Sequence, residues 1–281
     1  MRLKSAIAIS TLAVAALCVA VAGARAFDDA AYPNLKGQWN RTGSPRFDPA
    51  RPDGRSQQAP FTAEYQKIFE DGLADVAAGG HGTDPTYVCL SPGMPRIMNV
   101  YWPMEVVVLP QTTYIMIEHI HDNRRIYTDG RDWPESVEPT FAGYSIGRWI
   151  DVAGLGRYDT LEVETRHFKG PRNFDTSGLP LHRDNQTIVK ERIHLDAADA
   201  NTLVDEVTVI DHALTRPWSV VKRFRRNPDP RPMWLEEVCA ENNGHIVISN
   251  EDYFLSAEGL LMPSKKNQPP PDLRYFGEAR K

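Results

Sequence analysis

Short runs of apolar, β-branched and aromatic residues, separated by turn residues, fill most of the chain after Met104. The runs cover residues 104–109, 113–121, 124–129, 142–151, 158–168, 186–195, 202–211, 217–225 and 233–239. No helical segments separate them, which argues against a parallel α/β sheet. The pattern therefore predicts an all-β fold, an antiparallel meander closed into a barrel of about eight to nine strands.

One segment before these strands has a helical period instead. Its apolar positions are Tyr65, Ile68, Phe69, Leu73 and Val76. This spacing predicts one N-terminal amphipathic helix over residues 63–77, with Thr62 accepting a hydrogen bond at its start and Gly79-Gly80 ending it. The apolar face is narrow and the polar face mixes both charges, which favours packing on the barrel over membrane binding.

The first 26 residues have the composition of a secretory signal. Basic residues are followed by an apolar run and by Ala24-Arg25-Ala26, a small-residue cleavage site. We therefore expect a periplasmic or secreted protein with no stable membrane anchor once the signal is removed. The mature chain is predicted to form a single barrel domain over residues 27–263, followed by an extended, proline-containing tail over residues 264–281.

Charge and cysteine content restrict partners and compartment. The formal net charge is −5, and removal of three cations with the signal makes it −8 (−5 − 3). An acidic chain without a basic run argues against nucleic-acid binding. In an oxidising compartment, Cys89 and Cys239 are expected to form a disulfide, the alternative being two separate buried thiols. No hydrolase, phosphate-loop or dinucleotide motif occurs, so no cofactor is predicted, and we expect a monomer or homodimer.

The densest group of chemically active side chains lies in residues 113–131. A two-residue turn at Asp122-Asn123 would pair His121 with Arg124, His119 with Ile126, and Glu118 with Tyr127. Alternation separates the hairpin into two faces. One carries Ile115, Ile117, His119, His121, Arg124, Ile126 and Thr128; the other carries Tyr114, Met116, Glu118, Ile120, Arg125, Tyr127 and Asp129. The pattern leaves open which face lines the barrel interior.

The second face suggests acid/base catalysis. Glu118 facing Tyr127, with Arg125 nearby, would form a carboxylate, phenol and guanidinium cluster in a partly apolar setting. Arg124 or Arg125 would hold an oxyanion, and His119 is a further catalytic candidate. The same residues could equally form a structural ion pair.

A metal site is the alternative use of this hairpin. His119 and His121 have the i, i+2 spacing by which two imidazoles on a strand can bind one ion. Arg124, placed opposite His121, opposes a cation there, and no third ligand is forced onto this face. Ordinary hydrogen-bonded histidines are therefore favoured.

Five further residues are candidates for substrate binding: Arg131, Trp133, Trp102, Glu191 and His182. Glu191 shares a strand face with apolar residues, so its carboxylate must be paired or protonated if that face is buried. A structural bridge to an arginine is the competing explanation for Glu191. His182 lies in the loop before that strand, and the tryptophans and Arg131 would line a hydrophobic pocket or the barrel mouth.

Several longer motifs resemble a family of exported bacterial proteins described as lipocalin-like, which has no established activity. They include GMPR at 93–96, RRIYTDGRDWP at 124–134, GYSIGRW at 143–149 and TRPW at 215–218, within a resemblance over roughly residues 85–245. Gly37-Gln38-Trp39 also resembles the first strand of lipocalin barrels, where the tryptophan closes one end. The resemblance implies a calycin-like or lipocalin-like barrel and supplies no catalytic residue.

Together these patterns predict an exported barrel that binds a small apolar or aromatic molecule. The leading hypothesis adds cofactor-independent lyase or isomerase catalysis at the hairpin to this binding function. The alternatives are a non-catalytic carrier of a small ligand and a metal-dependent enzyme that uses His119 and His121.

Overall fold

The predicted barrel is present in the computed structural model of the chain. The structure describes residues 28–99, 101–119, 123–235, 239, 244–248, 250–256 and 260–271. The predicted signal, residues 1–26, lies outside the described residues and stays a prediction. Among the described residues, no helix has the length and apolar character needed to cross a membrane.

Nine strands form the closed barrel wall. They are β1 (Gln38–Arg41), β2 (Met104–Val108), β3 (Thr112–Ile117), β4 (Asn123–Tyr127), β5 (Tyr144–Ile150), β6 (Thr160–Arg166), β7 (Ile188–Asp196), β8 (Asp199–Ile210) and β9 (Trp218–Arg226). Each strand pairs with the next along the chain, and β1 closes the ring by pairing with both β2 and β9. The all-β barrel with one helix is thus confirmed.

One pair of strands departs from the predicted antiparallel meander. β4 and β5 run parallel, with Ile126 opposite Ser145. A ring in which every neighbour is antiparallel needs an even number of strands, so a closed ring of nine must contain a parallel pair. The connection over residues 128–143 is long enough to return the chain along the barrel to the end at which β4 begins.

The ninth wall strand is also not the one expected after Met104. Residues 233–235 of the predicted run 233–239 lie outside any strand, and residues 236–238 lie outside the described part. The position is taken by β1, in which Trp39 is fully buried and pairs with Met104 on one side and Arg226 on the other. A run of apolar residues shows only that a segment can be buried, and the ring was closed by the other end of the chain.

The predicted helix is confirmed as α1 (Ala63–Ala77). The backbone N–H of Tyr65 donates to the Thr62 hydroxyl over 3.3 Å, which caps the helix start. Tyr65 and Phe69 are its buried residues, and the Phe69 ring lies 6.0 Å from that of Phe61. Four short 3₁₀ helices accompany it: Asp29–Ala31, Gly54–Gln57, Pro85–Val88 and Arg96–Asn99.

A separate antiparallel sheet follows the barrel and was not predicted. It contains β10 (His245–Ile248), β11 (Glu251–Leu255) and β12 (Leu261–Pro263). β10 contacts the 3₁₀ helix Pro85–Val88. The predicted Cys89–Cys239 disulfide is formed, with the two Cα atoms 5.6 Å apart across a sequence separation of 150. It ties the chain just after that 3₁₀ helix to the segment that leads into β10.

Candidate functional site

The structure corrects the register of the β3–β4 hairpin. The predicted two-residue turn placed Glu118 opposite Tyr127, but Tyr127 lies opposite Thr112. β3 ends at Ile117, so the connection is longer than two residues. The two registers differ by six residues, and an even shift leaves every side chain on its original face. Hydrophobic alternation could not distinguish them, and the predicted register is wrong.

This shift separates the proposed acid/base residues. Six residues of strand correspond to about 20 Å, so Glu118 and Tyr127 do not face each other. Glu118 is buried just beyond β3, where its backbone N–H donates to the Pro103 carbonyl over 3.2 Å. Arg125 is exposed, and its hydrogen bond with Tyr127 raises the pKa of the guanidinium. The three residues form no common site.

Side-chain burial shows which face of the β3–β4 hairpin lines the barrel interior. Arg124 and Ile126 are almost fully buried, whereas Met116 and Arg125 are exposed. The face that carries Arg124 therefore lines the barrel interior.

His119 lies beyond the end of β3, where its ring stacks on that of Trp102 with centroids 4.2 Å apart. These two predicted residues are thus neighbours. His121 lies outside the described residues, so the two-histidine metal site stays a prediction.

The interior face contains a fully buried ion pair. Arg124 donates from its two terminal nitrogens to Glu191, with N–O distances of 2.9 and 2.6 Å, and neither side chain is exposed. Thr165 accepts a weaker hydrogen bond from the same guanidinium at 3.5 Å and lies 2.8 Å from Ser145. Arg124, predicted to hold an oxyanion, and Glu191, predicted to bind substrate, are therefore partners of each other. Glu191 has the arginine that a carboxylate on an apolar strand face needs.

Two further charged residues are buried on the wall strands that follow β7. Asp205 on β8 and Lys222 on β9 are direct cross-strand neighbours, and both are buried. Burial raises the pKa of Asp205 well above its ordinary value, and the charge of Glu191 raises it further. Burial lowers the pKa of Lys222 to about 8, although Asp205 opposes this. The Lys222 ammonium donates to the Phe47 carbonyl over 2.6 Å.

Sequence reasoning missed Asp205 and Lys222 although the signal was present. Asp205 alternates with Leu203 and Val207 on one strand face, just as Glu191 shares a face with apolar residues. The strands β4 to β9 thus each bury a polar side chain, from Arg124 to Lys222. The Lys222 ammonium lies over the Phe47 ring, and the centroids of the Phe47, Phe174 and Trp218 rings lie within 5.2 Å of one another. The Arg124–Glu191 pair and the packed rings indicate a structural role, although neither carboxylate oxygen of Asp205 has a hydrogen-bond partner among the described residues.

Three predicted residues meet on the outside of the barrel. The Arg131 guanidinium lies 3.8 Å from the centre of the Tyr127 ring and donates to the hydroxyl of Tyr144 over 3.3 Å. Trp133 lies beside Tyr144, with ring centroids 6.1 Å apart. Asp129 accepts a 2.6 Å hydrogen bond from Arg131, and this bond raises the pKa of the guanidinium. The cluster is on the wall surface, and the charge of Arg131 is already paired.

An open cleft of about 660 Å³ lies beside the barrel. Its walls come from α1, the 3₁₀ helix Pro85–Val88, the loops over residues 170–173 and 180–185, and the strands β10 and β11. Of the predicted site residues that the structure describes, His182 lines it. Ligand clefts of several hundred Å³ with apolar walls and a few convergent polar groups are typical of small-molecule sites.

His182 is held at one side of this cleft. Its ring lies 4.9 Å from that of Tyr65, and its backbone N–H donates to Asp211 over 2.9 Å. The neighbouring Asp184 lies 2.9 Å from the His182 ring and 2.6 Å from that of His212. Burial alone would raise the pKa of Asp184, but hydrogen bonds from the Gln186 N–H and from both imidazoles lower it to about 2.

Arg172 supplies a buried positive charge to the cleft. Its terminal nitrogens donate to the Met94 carbonyl and to the Thr187 hydroxyl, each over 2.8 Å. Burial lowers the pKa of this guanidinium to about 10. Among the described residues, no carboxylate forms a salt bridge with Arg172, and its Nε has no hydrogen-bond partner. The carboxylates of Asp211 and Asp184 favour its charged form, and the Thr187 hydroxyl that accepts from Arg172 donates in turn to Asp211 over 2.6 Å. The cleft therefore contains a fixed, oriented cation with no carboxylate bonded to it directly.

A second group of imidazoles also lies at the cleft, which His81 and Asp252 line. His81 and His245 both contact the Oδ2 atom of Asp252, the latter over 2.9 Å, and the two rings are 4.9 Å apart. His81 is separated from Asp252 by 171 residues. Neither the spacing nor the strand pattern connects these residues, so nothing in the sequence analysis predicted the group.

Comparison with known proteins adds no family assignment. No protein-family model matches the chain, and no curated protein matches it significantly.

Proposed function

We propose that this protein binds a small organic molecule in the cleft beside the barrel, and that the ligand combines an apolar or aromatic body with an acidic oxygen. The observation that carries the proposal is the buried guanidinium of Arg172, a residue that lines a 660 Å³ cleft and whose nitrogens bond to no described carboxylate directly. Arginine binds planar carboxylates with two parallel hydrogen bonds, and such charge-assisted bonds are strong where water is excluded.

The walls support the apolar part of this ligand. Tyr65 and Ile68 from α1, Val88 from the 3₁₀ helix and Leu181 from the loop line the cleft. The two acidic residues at the walls, Asp84 and Asp252, already have partners within the protein. Asp84 receives a 2.6 Å bond from Arg96, and Asp252 contacts two imidazoles. They leave Arg172 as the group that best accounts for a negatively charged ligand.

Export is part of the proposal. The formed disulfide is consistent with an oxidising compartment, and the predicted signal would direct the chain there. Membership of the exported lipocalin-like family, on the motifs RRIYTDGRDWP, GYSIGRW and TRPW, likewise remains our proposal.

The test uses protein recovered from the periplasm, where Phe27 is the expected first residue. Isothermal titration with benzoate, phenylacetate and cinnamate, each compared with its neutral amide, measures the preference for an acidic oxygen. A charge-assisted hydrogen bond of about 1.5 kcal/mol or more predicts at least roughly tenfold tighter binding of the carboxylate.

A matched pair of variants on one helix locates the binding. Ile68→Trp places a large ring in the cleft and should abolish binding, whereas Lys67→Trp, on the exposed face of α1, should leave it unchanged. Thermal unfolding establishes that both variants are folded. Equal binding by the two variants, or no binding of any carboxylate, would refute the proposal.

Acid/base catalysis of the lyase or isomerase type is the second candidate. It is favoured by His182, whose imidazole lines the same cleft beside the proposed ligand. Conversion of a bound carboxylate by the wild type and its loss in His182→Gln, with binding retained, would distinguish an enzyme from a carrier.

A further inference from the structure

We propose that His81, His245 and Asp252 bind one divalent transition-metal ion, zinc being the expected species, at the end of the cleft. The ion would be held by two imidazole nitrogens and one carboxylate oxygen. This site is independent of the two histidines of the β3–β4 hairpin and of the carboxylate-binding role proposed for Arg172.

The three donors converge from different elements. His81 lies in the loop after α1, His245 is on β10 and Asp252 is on β11. Val247 pairs with Asp252 across the hairpin, so His245, two residues earlier, is its diagonal neighbour on the same sheet face. One donor atom of each residue lies within 4.8 Å of the others. Bonds of roughly 2.0–2.2 Å in a tetrahedral zinc site separate the ligand atoms by about 3.4 Å, which lies within this limit.

The donor atoms of the three residues are directed at one point. Two imidazole nitrogens, one from His81 and one from His245, approach the same Asp252 oxygen, Oδ2. Imidazole and carboxylate bind metals in their deprotonated forms, and both are common zinc ligands. Nitrogen donors select zinc, cobalt, nickel or iron over calcium and magnesium, which prefer oxygen alone.

Unsatisfied atoms distinguish this group from an ordinary hydrogen-bonded cluster. The Nδ1 of His81 and the Oδ1 of Asp252 are both buried, and neither has a hydrogen-bond partner among the described residues. A buried polar atom without a partner is costly. A bound ion would let Asp252 use its second oxygen for the metal or for a metal-bound water, so the free atom has a use in the loaded site.

The surrounding charge also favours a cation. Asp75 accepts a 3.1 Å hydrogen bond from the N–H of Gly82, which directly follows His81, and Glu251 neighbours Asp252 in sequence. Both Asp75 and Glu251 contact Lys265, at 2.9 and 3.0 Å. With neutral imidazoles, three carboxylates and one ammonium leave an excess of two negative charges around the three donors.

The walls leave one side of the ion open. The Tyr87 ring lies 3.7 Å from that of His81, and the Phe254 ring lies 4.5 Å from that of His245. His81 and Asp252 line the cleft on the remaining side. Three protein ligands with one position facing a cleft is the arrangement of zinc sites that bind water or substrate.

The experiment measures metal binding without any organic ligand. The mature protein is stripped with a chelator and titrated with Zn²⁺ by calorimetry and with Co²⁺ by visible absorption. We expect one ion per chain and the intense visible bands of a low-coordinate cobalt complex. Absence of stoichiometric binding would overturn the proposal and would leave the carboxylate-binding proposal untouched.

Substitutions assign the ligands. His245→Gln and Asp252→Asn should each weaken Zn²⁺ binding beyond the roughly 10–100-fold that is typical for loss of an outer-shell partner. The matched control is His212→Gln, because His182, Asp184 and His212 form the other three-residue group with metal-ligand atoms in the described chain. Loss of binding in His212→Gln with retention in His245→Gln would contradict the assignment.

A further measurement covers variants that fail to fold. X-ray absorption of the zinc-loaded wild type counts imidazole ligands directly, and two are expected. A spectrum with no imidazole, or with oxygen donors alone, would overturn the proposal without any substitution.

Discussion

The barrel interior and the cleft beside it contain similar residue types in opposite arrangements. Inside, Arg124 on β4 and Glu191 on β7 form an ion pair with two hydrogen bonds, although β5 and β6 lie between their strands in the wall, and neither side chain is exposed. In the cleft, no described carboxylate forms a direct salt bridge with Arg172, and the Nδ1 atom of His81 is buried without a hydrogen-bond partner among the described residues. Buried atoms without a hydrogen-bond partner occur in both regions, among them both carboxylate oxygens of Asp205 inside the barrel. In the cleft such atoms belong to residues that line an open volume of about 660 Å³.

The difference shows why a buried charge is weak evidence for function by itself. Desolvation shifts the pKa of Asp205 and Lys222 strongly, yet these residues lie among packed rings and cross-strand partners. Perturbed titration marks functional sites and structural ion networks alike. The feature that distinguishes the cleft is the open volume beside its polar residues.

The largest expected effect is on the interior pair. Glu191→Gln keeps the side-chain shape but leaves the Arg124 guanidinium buried without a counter-charge, so it should cost about 3–5 kcal/mol in the free energy of unfolding. The control is Glu162→Gln on the adjacent strand, whose partner Arg148 is exposed at 75%, and its cost should stay below about 1 kcal/mol. Urea unfolding measures both. Equal costs would remove the distinction between interior and surface.

Removal of the disulfide should have a smaller effect that reaches the cleft. Cys89→Ser with Cys239→Ser frees a loop closed over a separation of 150 residues, and a loss of about 2–4 kcal/mol is expected from thermal unfolding. Because the bridge ties the 3₁₀ helix Pro85–Val88 to the segment before β10, carboxylate binding in the cleft should weaken as well. Glu191→Gln, measured where it remains folded, should leave that binding unchanged. The opposite result would show that cleft and interior are coupled.

The smallest effect concerns an exposed imidazole. The hydrogen bond from His212 to Asp184 raises the pKa of His212, so the charged form is favoured in the folded chain. Its contribution to stability is complete below the ordinary histidine pKa and is lost as pH rises through the raised value. Asp184→Asn should return the NMR titration of His212 to the ordinary range. An unchanged titration would show that Asp184 is not the cause.

Much of the fold followed from local patterns, while the candidate site did not. Alternation identified eight of the nine wall strands, and helical spacing gave α1 with its Thr62 cap. The apolar face around Glu191 indicated that this carboxylate needed a partner, and the partner is Arg124. The register of the β3–β4 hairpin was wrong because an even shift preserves the same alternation.

The cleft lay beyond such reasoning. His182 was recognised as a candidate, but its neighbours come from α1, from β10 and β11, and from loops far apart in the chain. His81 and Asp252, separated by 171 residues, share no period, motif or face in the sequence. Their proximity depends on where the small C-terminal sheet lies against the barrel.

The sequence by itself determined which residues share a face of each strand, where the helix lies, the pairing of Cys89 with Cys239 and the need of a buried Glu191 for a partner. These properties depend on periodicity and composition, which are local or involve few partners. The tertiary structure alone decided the register of β4, the closure of the ring by β1 and the meeting of His81, His245 and Asp252. Each of these depends on contacts between distant segments, whose geometry the linear order of residues does not specify.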